Sequence, residues 1–245
     1  MVDAEGPLFA LGVLLVSLAY SAVGHGGASG YLALSTFSTM PPQVASTLAL
    51  GMNLVVAGIS FLAFRRARHF EARLAWPFLA GSVPLAFVGG SLRLPGKLHA
   101  YVLAATLLVA ALWLIAGTRL EGRPPRPLKV PAAVGIGAAI GLVSGMVGVG
   151  GGIFLSPLVL LAGYADAKKT ASLSALFILC NSAAGLAARP PASLEVFQTH
   201  GALLAIGAVG AVGGAALGAF WMPHLVLRRT LGVVLLVAVV KLVIR

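Results

Sequence analysis

The sequence predicts an all-α polytopic membrane protein made of two inverted repeats, each a broken or re-entrant helical hairpin plus three transmembrane helices. Three observations carry this expectation. Of 245 residues only 9% are charged and 59% are hydrophobic, with a mean hydropathy of +1.01, whereas a soluble domain has roughly a quarter of its residues charged. A glycine-rich break, Gly148-Val149-Gly150-Gly151-Gly152, interrupts one apolar run. A degenerate copy, Gly24-His25-Gly26-Gly27, stands 124 residues earlier. Main chain stripped of side-chain cover survives in hydrocarbon only where protein buries it or where it lines a cavity. Matched Gly-interrupted segments in two halves point to a transporter's binding site.

Taken in order, residues 8–23 are apolar, the break at 24–30 follows, and a short run reaches Met40. Neither piece has the ~20 residues a helix needs to cross a bilayer. Pro41-Pro42-Gln43 makes an uncharged turn, because proline cannot continue a helix interior. Residues 44–64, 74–92 (with kinks expected at Pro77 and Pro84) and 98–118 are long enough to span, and Arg65 to Arg73 forms a basic loop. The second half repeats the order: an apolar run over 131–147, the break, a short helix over 153–164, and spans at 170–188, 197–221 and 225–245. Ser46-Thr47-Leu48-Ala49-Leu50 with Ala57-Gly58 finds an echo in Ser172-Leu173-Ser174-Ala175-Leu176 with Ala184-Gly185. The expected organisation is therefore a first repeat over 1–118, a basic proline-rich linker over 119–130, and a second repeat over 131–245.

The formal charge of +11 is not a nucleic-acid signature, since the basic residues sit scattered in short loops rather than on one face. It reads as orientation by the positive-inside rule. With the Arg65–Arg73 loop in the cytoplasm, twelve of the 17 Lys and Arg residues fall on that side, and both termini lie outside. The other five are Arg93, Lys97, Arg189, Lys241 and Arg245. The expected setting is a multi-pass protein of the inner (cytoplasmic) membrane. The segment before residue 8 carries Asp3 and Glu5 and no basic residue, so a cleaved signal peptide is not expected. Cys180 is the single cysteine, which leaves no intramolecular disulfide.

The motif Gly148-x-Gly150-Gly151-Gly152-x-x-x-Ser156-Pro157, its weaker copy and the central basic linker resemble the TauE/SafE family. The family comprises sulfite and organosulfonate exporters, loosely grouped as anion permeases with two repeated halves. The resemblance covers essentially the whole chain and implies a membrane transporter of small sulfur-containing oxyanions, such as sulfite or sulfoacetate. The first copy departs from the pattern: Ala28 replaces the third glycine, Ala33 stands where Pro157 stands, and His25 fills the variable position.

The residues suit that chemistry independently. All six Asp and Glu residues fall at termini or in loops, and intramembrane carboxylates are the usual cation ligands and proton relays. A carboxylate-free pathway suits an anion. The expected binding residues are Gly24, His25, Gly26, Gly27, Ser29, Ser46, Thr47 and Asn53 from the first half. From the second half they are Gly148, Gly150, Gly151, Gly152, Ser156, Ser172, Ser174 and Asn181. Short helices starting near Ser29 and Ile153 would aim unpaired N–H donors at an anion, and one repeat would rock against the other around the breaks.

Competing readings stay open at this stage. Glycines also serve close helix packing, and span Ser and Thr often bond back to the i−4 carbonyl. An anion channel would share the broken helices, and a metal permease would draw on His25, Cys180 and the methionines, which form no ligand cluster. A Ser–His hydrolase built on His25, Ser156 and Ser174 lacks both the nucleophile-elbow motif and an acid at depth. No cofactor is implied. Coupling to a proton is open, through His25 or an acidic substrate. The glycine-rich stretch 205–218 suits either a homodimer contact or packing within one chain.

Overall fold

The computed structural model describes residues 6–35, 37–92, 126–191 and 195–223, with Val226, Arg229, Thr230 and Val233. The expected span 98–118, the turn 93–97, most of the expected span 225–245 and most of the linker lie outside the described residues. The described chain is helical throughout: α1 Pro7–Ala22, α2 Ala28–Ser35, α3 Pro42–Arg66, α4 Ala72–Ser91, α5 Val130–Val147, α6 Gly152–Ala162, α7 Ala167–Ala187, α8 Val196–Thr199 and α9 Gly201–Ala216, the last running into a π-helical turn at Leu217–Trp221. Five of these segments are long and apolar enough to cross a membrane: Gln43–Arg66, Ala72–Ser91, Val130–Val147, Ala167–Ala187 and Gly201–Trp221. Residue 7 and residue 131 are prolines at helix starts, where the missing N–H costs nothing. The main chain of α4 remains helical through Pro77 and Pro84.

The expected span 197–221 is divided. Val196–Thr199 makes one turn, and α9 begins afresh after His200, whose φ of −111° leaves the helical region. Phe197 accounts for the turn's position: its ring lies where a side chain on Gly51 would stand, so this turn is drawn inward onto α3.

Each break makes a hairpin, and the two hairpins open at opposite ends of the bundle. In the first, α2 runs back along α1, with Leu34 over Gly12 and Gly30 against Val16. Its open end shares a cleft with the start of α3, lined by Phe9, Ser35, Met40 and Ala45. Its tip at Gly24 presses on the Ala171 main chain at the start of α7. In the second, the Arg126 N–H donates to the Gly163 carbonyl (2.8 Å), which closes the open end near the α6–α7 turn. That tip, at Gly148, lies against Ser46 near the start of α3. The helices α3 and α7 are antiparallel: Asn53 bonds Ser182 midway, and an exposed Lys169–Glu71 ion pair (2.8 Å) closes one end. Three basic stretches, Arg65–Arg73, Arg126–Lys129 and Lys168-Lys169, thereby gather at that end.

The halves are interlaced. The helix α4 packs on α5 and α7, both from the second half, while α9 packs on α1 and α3, both from the first. Both seams run parallel and place a glycine against a carbonyl at every fourth residue. Gly137, Gly141 and Gly145 face the carbonyls of Phe78, Ser82 and Ala86; Gly210, Gly214 and Gly218 face those of Leu14, Leu18 and Ala22. Lipid supplies no hydrophobic drive between helices, so close van der Waals approach of main chains is what holds such seams. The glycines of the 205–218 stretch thus pack largely within the chain.

A neighbouring pair of residues tests the seam. A Cβ on Gly213 meets nothing within 4 Å, whereas one on Gly214 would collide with the Leu18 carbonyl and Ser21. Gly213→Ala should be neutral or stabilise by up to roughly 1 kcal/mol through helix propensity. Gly214→Ala should destabilise by about 1–3 kcal/mol, as overpacking does. Thermal unfolding midpoints of the two detergent-purified variants check the contrast; equal midpoints would refute the seam.

Candidate functional site

The two breaks meet at the centre of the bundle because glycine alone allows their turns. At the first tip Gly24 (φ +74°) and Gly27 (φ +91°) are left-handed; at the second, Gly148 (φ +76°), Gly150 (φ +80°) and Gly151 (φ +81°) are. A β-carbon would be strained at each, and at Gly151 it would also press on Phe177, Ile140 and Ser144. The α1 end is capped by the His25 N–H donating to the Tyr20 carbonyl (2.8 Å), and the α5 end by the Gly148 N–H donating to the Ser144 carbonyl (2.7 Å). The short helices begin at Ala28 and Gly152, within a residue of the expected starts.

Asn53, fully buried in α3, ties the two tips together. Its Oδ1 accepts from the Ala28 N–H (3.2 Å) at the start of α2. Its Nδ2 donates to the Val149 carbonyl (3.3 Å) in the second break and to Ser182 Oγ (3.1 Å) on α7. One carboxamide therefore bonds both the start of α2 and the turn of the second break. Gly26 and Gly150 are small because Asn53 occupies the space a side chain would need.

A second cross-link runs through His25. Its Nδ1 lies 3.0 Å from the Val23 carbonyl, which only accepts, so Nδ1 carries the proton. Nε2 is left to accept from Ser156 Oγ (3.3 Å) on α6, and Ser156 in turn pairs with Ser174 Oγ (2.6 Å) on α7. All three are buried. The imidazole is oriented by a backbone carbonyl, the role an acid fills in a hydrolytic triad.

Around these links lie main-chain donors with no acceptor among the described residues: the N–H groups of Gly26, Gly27, Ser29 and Gly30 at the first tip and of Gly150, Gly151, Gly152 and Ile153 at the second. All eight residues are buried. Most buried backbone N–H groups are paired, so two facing sets of open donors at helix starts form an environment for negative charge.

The other expected residues are placed as follows. Ser29 pairs with the Tyr20 hydroxyl (2.9 Å) within the first hairpin, beside a matching Ser17–Tyr31 pair (2.7 Å). Ser46 and Thr47 stand near the start of α3, where the Arg189 guanidinium donates to both. Thr47 also donates back to the Gln43 carbonyl (3.0 Å). Gly148 lies beneath this group. Ser172 and Asn181 are buried in α7, and neither side chain has a hydrogen-bond partner among the described residues. The structure thus joins Gly26, Asn53 and Gly150 in one cluster and His25, Ser156 and Ser174 in another, and it does not join Ser172 or Asn181 to either. Sequence reasoning missed Tyr20, Tyr31 and Ser182, which carry ordinary span composition. It also left Arg189 among the loop charges.

Apolar spans around two glycine-broken hairpins define a polytopic membrane transporter. The family model described as sulfite exporter TauE/SafE matches residues 8–242. A relative from Sinorhizobium fredii (strain NBRC 101917 / NGR234), named probable membrane transporter protein y4hK, is 34% identical over 246 aligned residues, covering 98% of this chain and 99% of its own. The chain belongs to the TauE/SafE sulfite exporter family. No solved structure matches it.

Removing the Asn53 amide would expose the Ala28 N–H and the Val149 carbonyl together. Each buried polar group left unpaired costs about 1–3 kcal/mol. Asn53→Leu should therefore lower the unfolding midpoint of the purified protein well below that of Asn181→Leu, which removes an amide with no described partner. Equal damage from Asn181→Leu and Asn53→Leu would rule out the assigned link.

Proposed function

We propose that the protein is a secondary transporter exporting small sulfur-containing oxyanions, sulfite or a short organosulfonate such as sulfoacetate, by alternating access. The observation that carries this reading is the pair of buried amide clusters at the starts of α2 and α6 that have no acceptor among the described residues. An oxyanion offers three or more acceptor oxygens, and two helix starts of opposite direction supply donors without a fixed positive charge that would trap it. The family supports the sulfur oxyanion, because sulfite export is what its description names.

The repeats are inverted copies in this reading, and the hairpins opening at opposite ends support it. The gathering of Arg65–Arg73, Arg126–Lys129 and Lys168-Lys169 at one end supports a cytoplasmic assignment for that end under the positive-inside rule. The multi-pass chain would then sit in the inner membrane with Arg189 and the α3 start facing outward. The Asn53 and His25 links hold the two tips in the present arrangement, and one group of helices would rock past the other as those links exchange. His25, Ser156 and Ser174 form a hydroxyl–imidazole chain along which a coupling proton could be passed.

Two measurements test the function. A ligand that binds only the folded state stabilises it by about 2.7 kcal/mol at a hundred times its Kd, so sulfite or sulfoacetate should raise the melting temperature of the purified protein while divalent metals should not. Gly151→Leu should insert into the membrane yet lose sulfite efflux from proteoliposomes. Wild-type efflux by that variant, or stabilisation by metals alone, would sink the proposal.

A further inference from the structure

A cation stands just outside the central cluster with no anion beside it among the described residues. Arg189 follows α7, and its two terminal nitrogens donate to Thr47 Oγ1 and to Ser46 Oγ (2.7 Å) near the start of α3. Both partners are neutral. Lys169 and Glu71, by contrast, form an ion pair at the far end of α7. The other described arginines are exposed, whereas Arg189 is half-buried, and burial holds its pKa below the ordinary arginine value. Arginine keeps its charge regardless, so desolvation here is a cost that ion pairing does not offset.

The position is specific. A Cβ on Gly148 would lie 3.2 Å from Arg189 Nη2 and against Ser46 Oγ, so the guanidinium rests directly over the first glycine of the second break. The open N–H groups of Gly150 to Ile153 begin two residues further on. The donor set is also incomplete. A guanidinium has five N–H groups in a planar fork, and two are spent on hydroxyls. Ser46 accepts from Arg189 and has no described acceptor for its own proton. Thr47 spends its proton on the Gln43 carbonyl. Three guanidinium N–H groups and one hydroxyl therefore remain for an acceptor of several oxygens and negative charge, the geometry that arginine binds bidentately.

We propose that Arg189 and Ser46, with Thr47 buttressing the guanidinium, form an oxyanion-binding station at the mouth of the second break, where a sulfite, sulfonate or phosphate group is held before or after passage between the helix starts. The station rests on the anion-transport reading only for the choice of probe. Its oxyanion could come from a small solute or from the phosphate of an anionic lipid.

The test uses the full chain in nanodiscs of phosphatidylcholine alone and of phosphatidylcholine with phosphatidylglycerol, with sulfite affinity read from thermal stabilisation. Arg189→Gln should weaken sulfite binding by about tenfold or more, the loss of one charge-assisted contact. Arg189→Lys keeps the charge without the fork and should fall between Gln and wild type; it serves as the test if the Gln variant does not purify. Phosphatidylglycerol that weakens sulfite binding in the wild type but not in Arg189→Gln would identify lipid phosphate as a competing occupant. Unchanged sulfite affinity and an unchanged lipid response in Arg189→Gln, or in the Lys variant where only that one purifies, overturn the station. Sulfite binding lost in Gly151→Leu but intact in Arg189→Gln, with the lipid response also unchanged, overturns the station while leaving the transport reading in place. A wild type that ignores sulfite and sulfonates fails the transport reading, and an Arg189-dependent response to phosphatidylglycerol would still uphold the station.

Discussion

Main chain that ends a helix inside the bundle must find partners, and the central architecture follows from that requirement. Four helix ends meet where α1 turns into α2 and α5 turns into α6. Water is not the general solvent at that depth, and an unpaired amide there costs several kcal/mol. Glycine makes the turns sterically allowed but supplies no hydrogen bonds. The bonds come from elsewhere: the C-terminal ends of α1 and α5 cap on their own last turns, and Asn53 covers one donor and one acceptor from two different breaks. What remains uncovered is a set of donors, and those give the centre its character. The fold and the site are two aspects of one accounting of backbone polar groups.

Much of this was readable in the chain. Composition alone gives the membrane class, and the two glycine breaks give both hairpins and the starts of α2 and α6 to within a residue. Asn53, His25, Ser156 and Ser174 are legible because polar groups are expensive at span depth and so invite a question at each occurrence. The pairings are less legible. That His25 reaches Ser156, 131 residues away, follows from how the hairpins interdigitate, which no local pattern encodes. The division of the last described span at His200 depends on Phe197 fitting above Gly51, again a tertiary fact. Arg189 was hidden for a different reason: an arginine after a span looks like any loop charge until the helix opposite it is known.

Small residues do two jobs here, and the geometry separates them. Gly141, Gly214 and their neighbours at four-residue spacing have helical dihedrals and are small so that a carbonyl of the next helix can approach. Gly148, Gly150 and Gly151 have positive φ and are small so that the chain can turn. Both kinds look alike in a composition table. The first kind sets how tightly helices are fastened, and the second sets where they stop.

The interlacing of the halves changes what counts as a unit of the molecule. Because α4 lies with α5 and α7, and α9 with α1 and α3, each described bundle contains the hairpin and the following span of one half and the last described long helix of the other. Chain order and mechanical order therefore differ. A protease cut in the linker at 119–130 would leave two fragments, each holding a helix whose neighbours are on the other fragment. Neither fragment could complete its own bundle alone, yet the pair could remain clasped after the covalent connection is gone. Such an exchange makes the two halves of the chain mutually dependent, so loss of either removes packing surface from the other.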